Sequence, residues 1–175
     1  MGFVDEFHNK YQTGGLQHLR ADQIRIEVGD SRFGSYFKFG IVRNPFDRTV
    51  SQFAYMKKRP DLRSYLGMKK QDSFSRYLDL IAERAHVQWG PQHRFLTDAD
   101  GSCLVDFVGR FENFDVDAAM ALGRLGMSVS IPHHNQGKRR LYQSYYRAAD
   151  RQKVERLYAR DLEMFGYTFN ERFTR

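Results

Sequence analysis

The sequence predicts an α/β layer fold with parallel strands. Two short apolar runs, Phe37 to Val42 and Leu104 to Val108, read as strands. They alternate with longer segments whose apolar residues recur at helical spacing. Two strands make a small sheet for 175 residues, so a further part of the sheet is expected upstream.

In chain order, Gly14-Gly15 reads as a turn, and Arg20 to Val28 as a helix stopped by Gly29. Phe37 to Val42 follows as a buried strand with Lys38 its one polar interruption. Asn44-Pro45 then opens a helix. Asn caps well, and Pro tolerates the first helical position because its missing N–H would have no partner there. Phe46, Val50 and Phe53 share one face of that helix. Ser73 opens another, with Phe74, Tyr77, Leu78 and Ile81 on its apolar stripe. Asp98 to Gly101 is a turn before the second strand. Asp115 to Leu125 is helical, ended by Gly126. A last helix runs from Asp150 to Phe165, ended by Gly166.

Hydrophobic residues make up 41% of the chain, enough for a packed core and against a disordered tail. Lys and Arg total 28 against 21 acidic residues, a net charge of +7. That sign favours an anionic partner, whether nucleic acid, nucleotide or acidic polysaccharide. Cys103 is the single cysteine, which excludes an internal disulfide and a thiolate metal cluster. No apolar run is long enough to span a bilayer, and the first residues lack the pattern of a signal peptide.

The richest stretch is Lys38 to Phe53: a strand ending in Arg43, a capped helix start, and Ser51 two turns into the helix. Such a junction aims unpaired N–H groups and a positive dipole end at one place. Arg43 adds a fork of donors suited to phosphate, and Ser51 adds a hydroxyl. The alternative is that Arg43 and Arg48 pair with local carboxylates and Ser51 is a small packing residue.

Arg43-Asn44-Pro45-Phe46-Asp47-Arg48-Thr49-Val50-Ser51 closely resembles the 3′-phosphate-binding motif of sulfotransferases, enzymes that use 3′-phosphoadenosine 5′-phosphosulfate (PAPS). Three further stretches resemble the carbohydrate branch of that family and its bacterial relatives. Gln88-Trp89-Gly90-Pro91-Gln92 is similar to a Trp-x-Pro-Gln stretch of the chondroitin-type enzymes. Val105 to Asn113 is similar to their Tyr-Asp-Phe-Ile-Gly-Lys-x-Glu run. Tyr158, Asp161, Phe165-Gly166-Tyr167 and Phe169 are similar to their C-terminal helix and tail. Four matches in the right order cover most of the chain.

The resemblance implies a three-layer, P-loop-like fold with a parallel sheet. It implies one sulfotransferase domain over residues 1–175, PAPS as donor without a metal, and a glycan or other hydroxyl acceptor. It also implies that Arg43 and Ser51 hold the 3′-phosphate. Arg48 is expected to be structural. Gly137-Lys138-Arg139-Arg140 fits a loop over the donor phosphates, giving Lys138 and Arg139 as further donor contacts, or else an ordinary basic turn. The family's opening strand, lysine loop and helix, which cradle the 5′-phosphosulfate, are not found. Thr13-Gly14-Gly15 has no suitably placed lysine, and Gly137-Lys138-Arg139 lacks the hydroxyl residue and comes too late. The expectation is a chain truncated, mis-started or degenerate at its N-terminus.

His18 is the expected base for the acceptor hydroxyl. The heparan uronyl-type branch has its histidine at a similar remove before the arginine-bearing strand. His86 is the rival, because the chondroitin-type stretch has a histidine directly before its Trp. Here Gln88 holds that place and His86 stands two residues earlier. His133-His134 read as a polar loop. Tyr142, Tyr145 and Tyr146 are either core residues or platforms for adenine or sugar. Cytoplasm is the expected location for a bacterial-like chain, and the Golgi lumen for a eukaryotic one with a missing anchor. Two alternatives stand beside the enzyme: a non-catalytic basic α/β module for nucleic acid or another polyanion, and an inactive remnant. No nucleic-acid fold signature is present in the sequence.

Overall fold

The computed structural model describes residues 18–128 and 140–170. Two helices, α1 (Ala21–Val28) and α2 (Asp30–Ser35), lead into strand β1 (Phe39–Val42). Helices α3 (Pro45–Met56), α4 (Pro60–Leu66), α5 (Phe74–Glu83) and α6 (His93–Leu96) follow. Strand β2 (Phe107–Arg110), α7 (Phe114–Arg124), α8 (Ala148–Leu157) and α9 (Ala159–Phe165) complete the described chain.

β1 and β2 pair in parallel, from Phe39 opposite Phe107 to Val42 opposite Arg110. They are the two strands of one sheet among the described residues, as the α/β reading requires. Burial rises along β1 from a half-exposed Phe39 to Val42, which is 2% exposed. The paired strand thus starts two residues later than the run from Phe37 suggests, and it is enclosed only at its Arg43 end, whereas the sequence implies a strand buried throughout. α7 lies on β2, and the approach is close: a Cβ at Gly109 would fall 2.9 Å from the Cβ of Asp117.

The main core gathers on α3. Phe46, Val50 and Met56 are buried against Leu66, Tyr77, Leu78 and Val154 of α4, α5 and α8. Each side chain of this size contributes about 1.5–3 kcal/mol when removed from water. Asn44 caps α3 through its side-chain oxygen, which accepts from the Phe46 N–H, and Ser73 does the same for α5. Tyr142 and Tyr146 join this core. Tyr146 packs edge-on against Phe46 and Phe74, and its hydroxyl donates to the Phe46 carbonyl.

Three further expectations need correction. β2 starts at Phe107, three residues later than the apolar run suggested. Asp106 is occupied otherwise: its carboxylate accepts from the Lys38 N–H and pairs with the Lys38 ammonium, closing the sheet's entry. The C-terminal helix is two helices, because Tyr158 leaves helical angles (φ −122°, ψ 26°). Its buried ring is anchored by a hydroxyl bond to the Trp89 carbonyl. α2, α4 and α6 were not foreseen. α4 carried a readable sign in Pro60 at its first turn and Gly67 in the left-handed region (φ 71°) past its end.

Candidate functional site

Arg43 is the first residue beyond the paired strands and stands at the C-terminal end of β1, where α/β sheets bind ligands. The N-terminus of α3 begins two residues later. Arg43, Arg48, Ser51, Gln52, Tyr55 and Gln88 line a shallow cleft of about 300 Å³. The sequence-predicted pair Arg43 and Ser51 is thus brought together. A larger groove of about 600 Å³ between α5 and α8 contains neither.

The Arg43 guanidinium is already engaged. Its Nε donates to Asp47 Oδ2 at 2.8 Å, its Nη2 lies 2.6 Å from the same oxygen, and the group sits 4.4 Å from the Phe111 ring centre. The local-carboxylate alternative therefore holds for Arg43, which still faces the cleft, but not for Arg48. Arg48 spans to the loop before α6, donating to the carbonyls of Gly90 (2.8 Å) and Gln88 (3.3 Å). It also lies 6.0 Å from the Tyr158 ring. Burial pushes the Tyr158 hydroxyl above its ordinary pKa, and the Arg48 cation pulls the other way.

The frame behind Arg43 is built from segments far away in sequence. The Gln92 side-chain amide accepts the Arg43 N–H (2.9 Å) and donates to the Arg43 carbonyl (2.8 Å). Glu112 accepts the Asn44 N–H at 2.7 Å and the Tyr167 hydroxyl at 2.8 Å. The Asn44 amide donates to the Thr168 carbonyl at 2.9 Å. Asp161, wholly buried, accepts the N–H groups of Gln92 (2.7 Å) and His93 (2.8 Å) and meets His93 Nδ1 at 2.6 Å. The stretches around Gln92, Glu112, Asp161 and Tyr167 all converge on the Arg43-Asn44 step.

His18 stands just ahead of α1, which packs against α6, the helix that begins after Gln92. His86 is buried. Its ring stacks on Trp89 (4.5 Å, 24°), and its Nδ1 accepts the Gln88 N–H. Lys138, Arg139 and the His133-His134 pair lie outside the described residues. Among the described residues there is no His, Cys, Asp and Glu group that could hold a metal ion, and no helix long and apolar enough to cross a membrane. Sequence reasoning singled out the stretches containing Gln92, Glu112 and Asp161 but gave these side chains no task. Each reaches its partner across 49 residues or more.

The pattern that defines the Sulfotransferase family matches residues 4–168. Carbohydrate sulfotransferase 10 of Xenopus laevis is 28% identical over 206 residues, covering 90% of this chain and 54% of that protein. Its namesake in Danio rerio is 29% identical over 197 residues, with 90% and 53% covered. An uncharacterized protein of Archaeoglobus fulgidus is 26% identical over 113 residues, 65% of this chain and 87% of that one. The chain spans about half the length of the carbohydrate sulfotransferases it matches. No solved structure gives a significant match.

Proposed function

Because the chain belongs to the sulfotransferase family, we propose that it carries the part of a PAPS-dependent carbohydrate sulfotransferase that seats the donor's 3′-phosphate. The observation that carries this reading is the meeting of Arg43 and Ser51 in one cleft beside the α3 N-terminus. A doubly charged phosphate there would receive a guanidinium, a hydroxyl and the positive end of a 12-residue helix. Lys138 and Arg139 are assigned to the same phosphates from the basic run alone. A glycan hydroxyl is the proposed acceptor, supported by the names of the relatives.

The reaction is an in-line displacement. A base removes the acceptor proton as its oxygen attacks sulfur, the bond from sulfur to the bridging oxygen breaks, and adenosine 3′,5′-bisphosphate leaves. His18 is the proposed base. Its support is its place before α1, whose partner α6 begins beside Gln92 and thus beside Arg43. In a preparation that turns over, His18→Ala should lose about a hundredfold to ten-thousandfold in rate, with donor binding unchanged. A loss under tenfold rejects His18 as base.

The donor seat is tested by titration calorimetry with adenosine 3′,5′-bisphosphate and adenosine 5′-monophosphate. Arg43→Ala should weaken the first far more than the second. A charge-assisted bond is worth roughly 1.5–3 kcal/mol, or tenfold to over a hundredfold in affinity. Ser51→Ala should act in the same direction, more weakly. Equal losses for the two nucleotides would remove the assignment. Tight binding of any polyanion without preference for the 3′-phosphate would favour the basic binding module instead.

A further inference from the structure

The parallel ladder ends at Val42 opposite Arg110, so β2 gives Arg43 no pairing residue. Its N–H and carbonyl nevertheless both have partners, and both belong to one side chain. Gln92 Oε1 accepts the Arg43 N–H at 2.9 Å and Gln92 Nε2 donates to the Arg43 carbonyl at 2.8 Å. A primary amide presents one acceptor and one donor on the same edge, and so replaces a strand residue at this single position.

Gln92 is itself held. Its N–H and that of His93 open α6, where no earlier carbonyl of the helix can serve them. Asp161, on α9 and wholly buried, takes both, and its Oδ1 also meets His93 Nδ1 at 2.6 Å. A carboxylate buried to that degree is costly unless its oxygens are hydrogen-bonded, and these are. α9 is thereby connected to the Arg43 backbone through two residues.

We infer that Gln92, anchored by Asp161, is a positioning clasp for Arg43 and sets the selectivity of the cleft for a 3′-phosphorylated nucleotide. The inference rests on the assignment of Arg43 to that phosphate. With the peptide groups on both sides of Cα fixed, the Arg43 side chain leaves the backbone in one direction. That direction carries it over Phe111 and against Asp47, at the edge of the cleft. Without the clasp the same guanidinium would sample other positions, and each bond to phosphate would have to reorder it. Gln92 and Asp161 act through Arg43 and need not touch the ligand.

The test is a cycle of the unmutated chain, Gln92→Met, Arg43→Ala and the double variant, titrated with adenosine 3′,5′-bisphosphate and adenosine 5′-monophosphate. Met keeps the volume of Gln without either hydrogen bond. Gln92→Met should lose about threefold to tenfold in affinity for the bisphosphate, the range of one or two modest hydrogen bonds. It should leave the monophosphate nearly unchanged. In the Arg43→Ala background the same substitution should add almost nothing, because the residue it positions is gone. Equal losses for both nucleotides, or a loss that adds in full to that of Arg43→Ala, overturns the clasp. If Arg43→Ala itself shows no preference, the donor-seat reading fails, and that result is separately visible. Hydrogen exchange on the unmutated chain gives a readout free of folding effects. The Arg43 amide should be protected before any nucleotide is added, and rapid exchange there also overturns the inference.

Discussion

Glu112 offers the sharpest quantitative test of the frame around Arg43. One carboxylate oxygen accepts the Asn44 N–H at 2.7 Å and the other accepts the Tyr167 hydroxyl at 2.8 Å. Asn44 is fully buried, so its N–H cannot turn to water when the acceptor is removed. Hydrogen bonds to a charged partner contribute about 1.5–3 kcal/mol each. The Tyr167 hydroxyl has a second acceptor in the Val42 carbonyl at 3.3 Å, so its share falls at or below the low end. Glu112→Ala should therefore cost about 2–4 kcal/mol. Glu112→Gln retains an oxygen for Asn44 and should cost about 1 kcal/mol. Urea unfolding measures both, provided the m-value stays constant. A loss below about 1 kcal/mol for Glu112→Ala, or equal losses for Ala and Gln, would refute the bonding described here.

Two further outcomes are expected. His86→Ala removes a ring stacked on Trp89 and the acceptor of the Gln88 N–H, and should destabilise the chain by about 1–3 kcal/mol. It should leave the preference for the 3′-phosphorylated nucleotide in place, and a variant as stable as the unmutated chain would show that His86 is not a packing residue. Lys38 holds the Asp106 carboxyl below its ordinary pKa through its ammonium and its N–H. A folded pKa below the unfolded one means that the unfolded chain binds more protons, so this contribution is present above about pH 4 and declines as pH falls further. Asp106→Asn should accordingly flatten the fall in melting temperature between about pH 5 and pH 2.5, and an unchanged slope would exclude the contribution.

Local signals in the sequence identified several helix ends, though those of α4 were passed over. Asn44-Pro45 and Ser73 mark the starts of α3 and α5, and Gly126 and Gly166 mark two ends, because a cap is decided within four residues. Periodicity could not reveal α6, which has four residues, less than two helical turns. It also ran through Tyr158 unbroken, where the backbone leaves helical angles and the hydroxyl is bonded to the Trp89 carbonyl, 69 residues away. The β2 start was misplaced for a similar reason. Asp106 looks like a polar residue inside an apolar run until Lys38, 68 residues earlier, is placed beside it. At the site, Arg43 and Ser51 were legible because they are eight positions apart on one strand-to-helix step. Gln92, Glu112 and Asp161 act across the fold, and a side chain's long-range partner leaves no mark on local pattern.

The distribution of buried polar groups makes a physical argument about what the Arg43 junction is for. Around α3, α5 and α8 the core is chiefly apolar, and such packing is the cheaper way to stabilise a chain. At the end of β1 the fold instead buries Asn44, Asp47 and Asp161, and surrounds them with Gln92, Glu112 and Tyr167. Buried carboxylates contribute little net stability compared with hydrophobic residues of the same volume. A fully hydrogen-bonded network does something apolar contact cannot, because it accepts one geometry and rejects neighbours a fraction of an ångström away. Here that geometry fixes the peptide groups on both sides of Arg43, while Asp47 and Phe111 fix its guanidinium. An arginine that served only to raise the net charge would not need such a frame. The proposed contact of Arg43 with a phosphate would gain from such a frame, since the ordering is completed on folding and not charged against binding.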